Sequence, residues 1–536
     1  MNSAFSTGLR KLRAVVTRFD VTSNQAKRSM LKDLANSQLP TTRSLTEYAD
    51  LLQFLQAFPP DQRTYTAAEK ELARVEKFLR TAGRASSKVF INSGLPHTPY
   101  VSKFSHDACG WLLQDPDVRV RLDHVVDPEF DLNKVLAITL PTLERSETTS
   151  GFDNTELLRT LEVPAGREVH FLVEELDKLD HEPRIKDLLF DGLGLYLRMD
   201  PRNKRFSRYY NRIPTPTPFI HDRILKDFDH RELLDRPLGK PVLLDDRAKH
   251  GITQVVKRAM LVTDRETDPT TYLDERSLRL YDLERGVSVA IYGMVPARQL
   301  PLESYVGYTL FKNGIPAAYG GAWIFGQRAD FGINIFEAFR GGESGYMLCQ
   351  LLRVYRQVFH VERFEIEPYQ FGLDNPDGIA TGAFWFYHRY GFRPTDPKLL
   401  ALSEVEFKKK LLRKDHRTSS RILLRFTESN MALTLSTIDQ PGVYDIADQV
   451  KAMIRKRYKG KRAVAENECV KNFLISTGSP VDREPNSEQV LKEVALWAMA
   501  TDQRNVGKLG LLLGMIRSKP VDLYDYQELL LRYFAK

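Results

Sequence analysis

Cysteine is nearly absent from this sequence: Cys109, Cys349 and Cys469 are the only three, far apart in 536 residues. An odd, scattered set argues against a disulfide framework and against the paired spacing of a zinc site, and it suits a reducing compartment. Long apolar runs are missing too. The longest candidate, LGLLLGMI at 509–516, is about one third of what a membrane-crossing helix needs. No segment is low in complexity and none repeats another. Charge of one sign is modest, because a net +8 spread over this length fits solubility as well as an anionic ligand or nucleic acid. What remains is ordinary folded-protein composition, 42% apolar and 28% charged, in a chain long enough for roughly two to four domains.

The N-terminus MNSAFSTGLRKLRAVVTRF is basic and free of acid up to Asp20. It has a faint likeness to an organellar transit peptide, but an exposed amphipathic first helix is the reading adopted. Residues 1–90 carry apolar side chains at helical spacing in LTEYADLLQFLQAF and AAEKELARVEKFLRTAG, the second ending in a glycine stop. Residues 96–284 form a mixed α/β region without a legible role, in which IPTPTPF at 213–219 must be extended.

The texture changes near residue 285. GVSVAIYGMV (286–295) and SYVGYTLF (304–311) are β-rich, and KNG supplies the Asn313-Gly314 pair that favours a tight hairpin before IPAAYGGAWIFG. DFGINIFEAF (330–339) reads as a strand and runs into FRGGESGYMLCQLLRVY. There Leu348, Leu351, Leu352, Tyr355 and Phe359 share one helical face. Next come a strand at 362–371 and a helix with Ala380, Ala383, Phe384 and Tyr387 at i, i+3, i+4 and i+7. Gly391 stops that helix before a last strand at FRP. Beyond 400 the pattern is helical and charged.

A strand, a glycine turn and a helix place free amides and the positive end of the helix dipole where a phosphate could sit. Gly341 and Gly342 allow close approach, Arg340 adds a planar donor fork, and Ser344 stands where an N-cap belongs. On its own, such a glycine pair is more often a plain turn. Together with the helix, the strand and the segment AFWFYHRYGFRP downstream, it resembles the core of the GCN5-related N-acetyltransferases, the GNAT superfamily. Their signature puts Arg or Gln first, then two residues, Gly, one residue, and Gly or Ala, directly after the fourth strand. Arg340 takes the first position here and Gly345 the last, while Tyr387 stands four residues before Gly391-Phe392, as in that family.

The resemblance covers about residues 285–397 and implies an α/β (α+β) GNAT-like domain at 285–400 with a mixed sheet. Mostly helical regions would flank it, at 1–95 and 401–536. It implies a V-shaped splay between the strands beside the loop, and acetyl-coenzyme A or another acyl-coenzyme A as co-substrate, with no metal. The pyrophosphate would lie on Arg340, Gly341, Gly342, Glu343, Ser344 and Gly345, and the pantetheine along Asn334, Ile335 and Glu337. Tyr387 would protonate the departing thiolate; its bland alternative is a core aromatic beside Phe384, Trp385 and Phe386. No general base is assigned, because Glu337 and Asp330 at a strand end are most simply solvated.

Glu343 departs from the family, standing where its middle glycine belongs, and Ala380 replaces an asparagine common there. A carboxylate about 4 Å from a pyrophosphate costs about 4 kcal/mol at an effective dielectric near 20. Glu343 therefore turns away or pairs with Arg340, or else the site has lost coenzyme A.

Other groupings carry less. His106 and Cys109 lack a third orienting group and read as buried structure. HDRILKDFDHRELLDR (221–236) reads as a salt-bridged helix surface rather than a metal site. PRNKRFSRYYNR (201–212) has the composition of a single-strand nucleic-acid platform, and IRKRYKGKR (454–462) is the one dense basic cluster. The expectation is a multidomain cytoplasmic N-acyltransferase acting on an amine acceptor, with nucleic acid not favoured as a partner and no membrane. Two rivals stand beside it: a GNAT-fold interaction module without catalysis, and an aminoacyl-tRNA-dependent amino-acid transferase.

Overall fold

Apolar residues recur at helical spacing from the start of the chain, but the first helix is packed rather than exposed as expected, with Phe5, Leu9, Leu12 and Val16 buried. The computed structural model describes residues 3–81, 88–179, 182–413, 415–438, 440–478 and 485–535. Gly83, the expected helix stop, lies outside them. The chain forms two compact units, Met1–Ile224 with Gly251–Thr271 and Lys312–Pro316, and Leu225–His250 with Tyr272–Phe311 and Ala317–Lys536. Among the described residues no helix is long and apolar enough to cross a membrane.

The first unit opens with four helices, α1 (Ser3–Val15), α2 (Val21–Ala35), α3 (Ser44–Ala57) and α4 (Gln62–Thr81). Leu45, Tyr48, Leu52 and Leu55 of α3 and Ala68, Leu72 and Val75 of α4 are buried. A three-stranded antiparallel sheet follows, in the order β1 (Tyr100–Ser102), β3 (Leu195–Pro201), β2 (Val118–Val125). Helix α5 (His106–Gln114) joins β1 to β2, and α6 (Glu168–Asp177) and α7 (Pro183–Gly192) precede β3. This is a split β-α-β unit with one face on the helices. Cys109 is wholly buried in its core, as expected of a structural cysteine.

The stretch 201–212 makes no exposed aromatic platform. Phe206 and Tyr209 are core residues, and Tyr210 is half-buried. Arg208 and the Tyr209 hydroxyl both reach Asp50, while Arg212 pairs with Glu69. The interleaving of cations and rings is a packing pattern here.

The second unit is built on an eight-stranded sheet in the order β10-β11-β9-β8-β7-β6-β5-β4. The strands are β4 (Arg279–Asp282), β5 (Val287–Tyr292), β6 (Ser304–Lys312), β7 (Ile315–Phe325) and β8 (Arg328–Ile335). Then follow β9 (Arg363–Ile366), β10 (Arg393–Pro394) and β11 (Met431–Thr434). Strands β8 and β9 run parallel, because helix α9 (Ser344–Phe359) crosses between them; α8 (His230–Asp235) comes earlier in the chain and packs on α9. The β6–β7 turn has Asn313 and Gly314 at φ 48° and 77°, the left-handed pair that the Asn-Gly dipeptide favours.

Four expectations need correction. The sheet extends beyond 285–400 at both ends, through β4 and through β11, which inserts between β9 and β10. The helix drawn through Ala380 and Tyr387 is two, α10 (Pro376–Thr381) and α11 (Ala383–Arg389), broken where Gly382 adopts φ 67°. Strand β8 ends at Ile335 and β9 at Ile366, earlier than their apolar runs. Within 221–236 only α8 is helical; residues 225–229 are an irregular strap.

A helical layer closes the second unit, ending in α12 (Val506–Ser518) and α13 (Leu523–Phe534). Between them Lys519 is buried, its Nζ donating to Glu303 O and Ser304 Oγ at 2.8 Å each, over the Tyr526 ring. Burial pushes this amine down to about 7. For a base held below its unfolded value, the cost is full below about 7 and is relieved as pH rises toward 10.5. We expect Lys519→Met to flatten that upward slope, read as the change in calorimetric unfolding temperature between pH 6.5 and 9. A slope equal to that of the wild type would contradict it.

Candidate functional site

Strands β8 and β9 pair in parallel through Arg328–Arg363, Ala329–Phe364 and Asp330–Glu365, and no further. Beyond Asp330, β8 continues to Ile335 paired in the ladder with β7 alone. The ladder thus forks at Asp330–Glu365, one residue before β9 itself ends at Ile366. Gly332 stands two residues past Asp330, opposite Gly321 on β7. A side chain there would meet Gln370 Nε2 at 3.4 Å, and the Gly332 carbonyl accepts from the Tyr308 hydroxyl at 2.9 Å.

Tyr387 reaches this fork. Its hydroxyl donates to Gln370 Oε1 at 3.3 Å, and its ring is 3% exposed. Burial pushes the phenol well above its ordinary value, so it stays protonated at neutral pH. The neighbouring His388 is a different case: burial, with Arg393 nearby, holds it down at about 4, and its ring packs against Trp385 and Phe407. It is a neutral packing residue.

Asp330 differs from the solvated strand-end acid expected. It is half-buried, and desolvation, then Glu365, Glu303 and Glu367, push its carboxyl up to about 6. Trp323 faces it across β7, stacked on Tyr305 with centroids 3.9 Å apart. Period-two alternation puts Asp330, Gly332 and Asn334 on one face of β8, so Asp330 stands about 7 Å along the strand from Gly332. A DF pair at the start of a strand, read with the acids at 303, 365 and 367, was the only available signal. Glu337 is exposed in a short 3-10 turn, Asn334 is exposed and Ile335 half-buried, all on the free edge past the fork.

The glycine loop comes next in the chain. Arg340 N and Gly342 N close turns onto Glu337 O and Phe339 O, and Gly341 takes φ 85°. Helix α9 begins at Ser344, with Glu343 as its cap residue and no side-chain cap bond, so Ser344 is not the N-cap. First-turn N–H groups of a helix have no acceptor within it, and this end keeps that property. Arg340 is exposed and lies 3.5 Å from the equally exposed Asp377, a screened contact of little strength.

Glu343 does not pair with Arg340. Its carboxylate is fully buried and takes two bonds from Arg285, at 2.6 and 3.0 Å, and one from Leu225 N at 2.9 Å. The charge that seemed opposed to a pyrophosphate is therefore turned aside and neutralised. Arg285→Met would take the guanidinium away from that buried carboxylate, at a cost of about 3–5 kcal/mol. Thermal unfolding should show the loss, and Arg285→Met with Glu343→Leu should restore most of it.

The strap 225–238 explains why α9 is buried on almost every side. Arg353 donates to Arg236 O and Pro237 O, Gln357 accepts from Leu238 N, and Phe228 lies against Tyr346 and Tyr390. Tyr390 in turn covers Gly345: a Cβ there would sit 1.6 Å from its hydroxyl. Gly345 is thus required by packing, and only Gly341 and Ser344 of the run 341–345 are open to solvent. The cradle is narrower than the five expected residues.

No family model, curated protein or solved structure matches this chain. The functional reading therefore rests on geometry and on the motif.

Proposed function

We propose that the second unit transfers an acyl group from an acyl-coenzyme A to an amine, at the fork between β8 and β9. The observation that carries this reading is the end of the β8–β9 pairing at Asp330–Glu365 with the Tyr387 hydroxyl in hydrogen-bond reach of Gln370, the side chain nearest Gly332. The glycine loop and the start of α9, one strand-length away, supply amides and Arg340 for a pyrophosphate. The edge of β8 past Asp330, on the side away from β7, is where an extended pantetheine arm would lie, near Asn334 and Ile335.

The chemistry depends on where protons sit. An amine attacks only when neutral, and Asp330, poised near 6, accepts its proton at neutral pH, directly or through water. A C–N bond forms at the thioester carbon and the C–S bond breaks. The thiolate takes its proton from Tyr387, which burial keeps protonated. Gln370 must swing from Tyr387 as the thioester arrives. The test is thiol release from acetyl-coenzyme A across a panel of small primary amines. Amine-dependent release supports the reading, and release at the amine-free rate with every member counts against it.

One observation favours the interaction-module reading instead: Tyr390 lies over Gly345 and buries part of the expected cradle. Under that reading Tyr390→Phe leaves acyl-coenzyme A binding absent, as in the wild type.

A further inference from the structure

We infer that the open face of the three-stranded sheet in the first unit binds single-stranded nucleic acid. Strand alternation sends Val118, Val120, Leu195, Leu197 and Met199 into the core. The opposite face then carries Arg119 and Arg121 of β2 beside Arg198 and Asp200 of β3, with Arg119 opposite Asp200 and Arg121 opposite Arg198. Arg119 and Arg121 are exposed and Arg198 half-buried. Two carboxylates stand among them: Asp200, shared by Arg121 at 3.0 Å and Arg198 at 2.9 Å, and exposed Asp123, next after Arg121 on the same alternation and 2.8 Å from His124 Nδ1. Arg119 has no ion-pair partner among the described residues, so the face keeps an excess of guanidinium charge.

The second observation is aromatic. The register of β2 shifts between Leu122 and His124, and this bulge brings His124 opposite Tyr196. The two rings stack at 4.8 Å and 14° on the outward side, with His124 exposed. Flat rings beside a row of arginines on an uncovered sheet match a strand of nucleotides: phosphates on the guanidinium groups, a base on the ring pair. Paired bases are already stacked on each other and cannot use the rings. This site is separate from the stretch 201–212, whose Phe206 and Tyr209 rings are buried, and it does not depend on the acyltransferase reading.

Fluorescence anisotropy of the full chain with labelled twelve-nucleotide oligo-U and oligo-dT tests it. Contacts to about three phosphates predict a log–log salt slope near −2. Arg119→Gln with Arg121→Gln should weaken binding at least tenfold and bring the slope to about −0.7. His124→Ala should weaken it about fivefold or more and leave the slope unchanged. Tighter binding of oligo-U than of oligo-dT would point to RNA, and equal binding to any single strand. Three results would overturn the inference: no binding at 50 mM salt, binding unaffected by the arginine pair, or equal competition by a duplex or by heparin.

Discussion

Asp330→Asn is expected to make the protein more stable and nearly inactive. The wild-type carboxyl titrates near 6 instead of 3.8 because it is buried among Glu365, Glu303 and Glu367. An acid with a raised folded pKa gives stability that is fully present below 3.8 and is lost as pH rises through about 6. Above that pH the ionised group carries a cost of about 1–3 kcal/mol, which the neutral amide avoids. Differential calorimetry at pH 8 should therefore show the variant unfolding at higher temperature, and at pH 3.5 the difference should vanish. Turnover should fall about 10²–10⁴-fold, the usual contribution of a positioned general base. The wild-type rate should rise with pH to a plateau above about 6, and the variant should lose that limb. A variant less stable at pH 8, or one with an unchanged pH profile, would show that Asp330 is an ordinary strand-end carboxylate.

Tyr387→Phe separates acid catalysis from packing. The ring stays, the hydrogen bond to Gln370 goes, and stability should drop by only about 1 kcal/mol. If the hydroxyl protonates the thiolate, kcat should fall about 10²–10⁴-fold with the affinity for acyl-coenzyme A unchanged. The deficit should shrink for thioesters of more acidic thiols, which leave without help. A core aromatic with no chemical role predicts the small stability loss alone, with kcat intact.

What the sequence made legible was local. The Asn313-Gly314 turn, the apolar face of α9 and the stop at Gly391 each rest on neighbouring residues, and each stands where expected; the strand feeding the glycine loop is there too, but ends at Ile335 rather than at 339. What it hid was distant in the chain. Glu343 finds Arg285 across 58 positions, β11 arrives from beyond residue 430, and the strap 225–238 covers α9 from more than a hundred residues upstream. Asp330 depends on acids at 303, 365 and 367, so its titration was invisible from its own strand. The aromatic stretch 201–212 misled for the opposite reason: composition alone does not say which rings face inward. Gly345 carries a practical lesson. Tyr390 needs it to be glycine, so a larger residue there would disturb folding whether or not coenzyme A binds.

Exposed Arg340 is free of that confusion. Titration calorimetry of acetyl-coenzyme A into the wild type and into Arg340→Ala tests the account most directly. Micromolar binding, weakened about tenfold in the variant by loss of one charged contact worth about 1.4 kcal/mol, is the predicted result. Absence of heat with acetyl-coenzyme A and with longer acyl-coenzyme A compounds, in a fully folded wild-type protein, would contradict it.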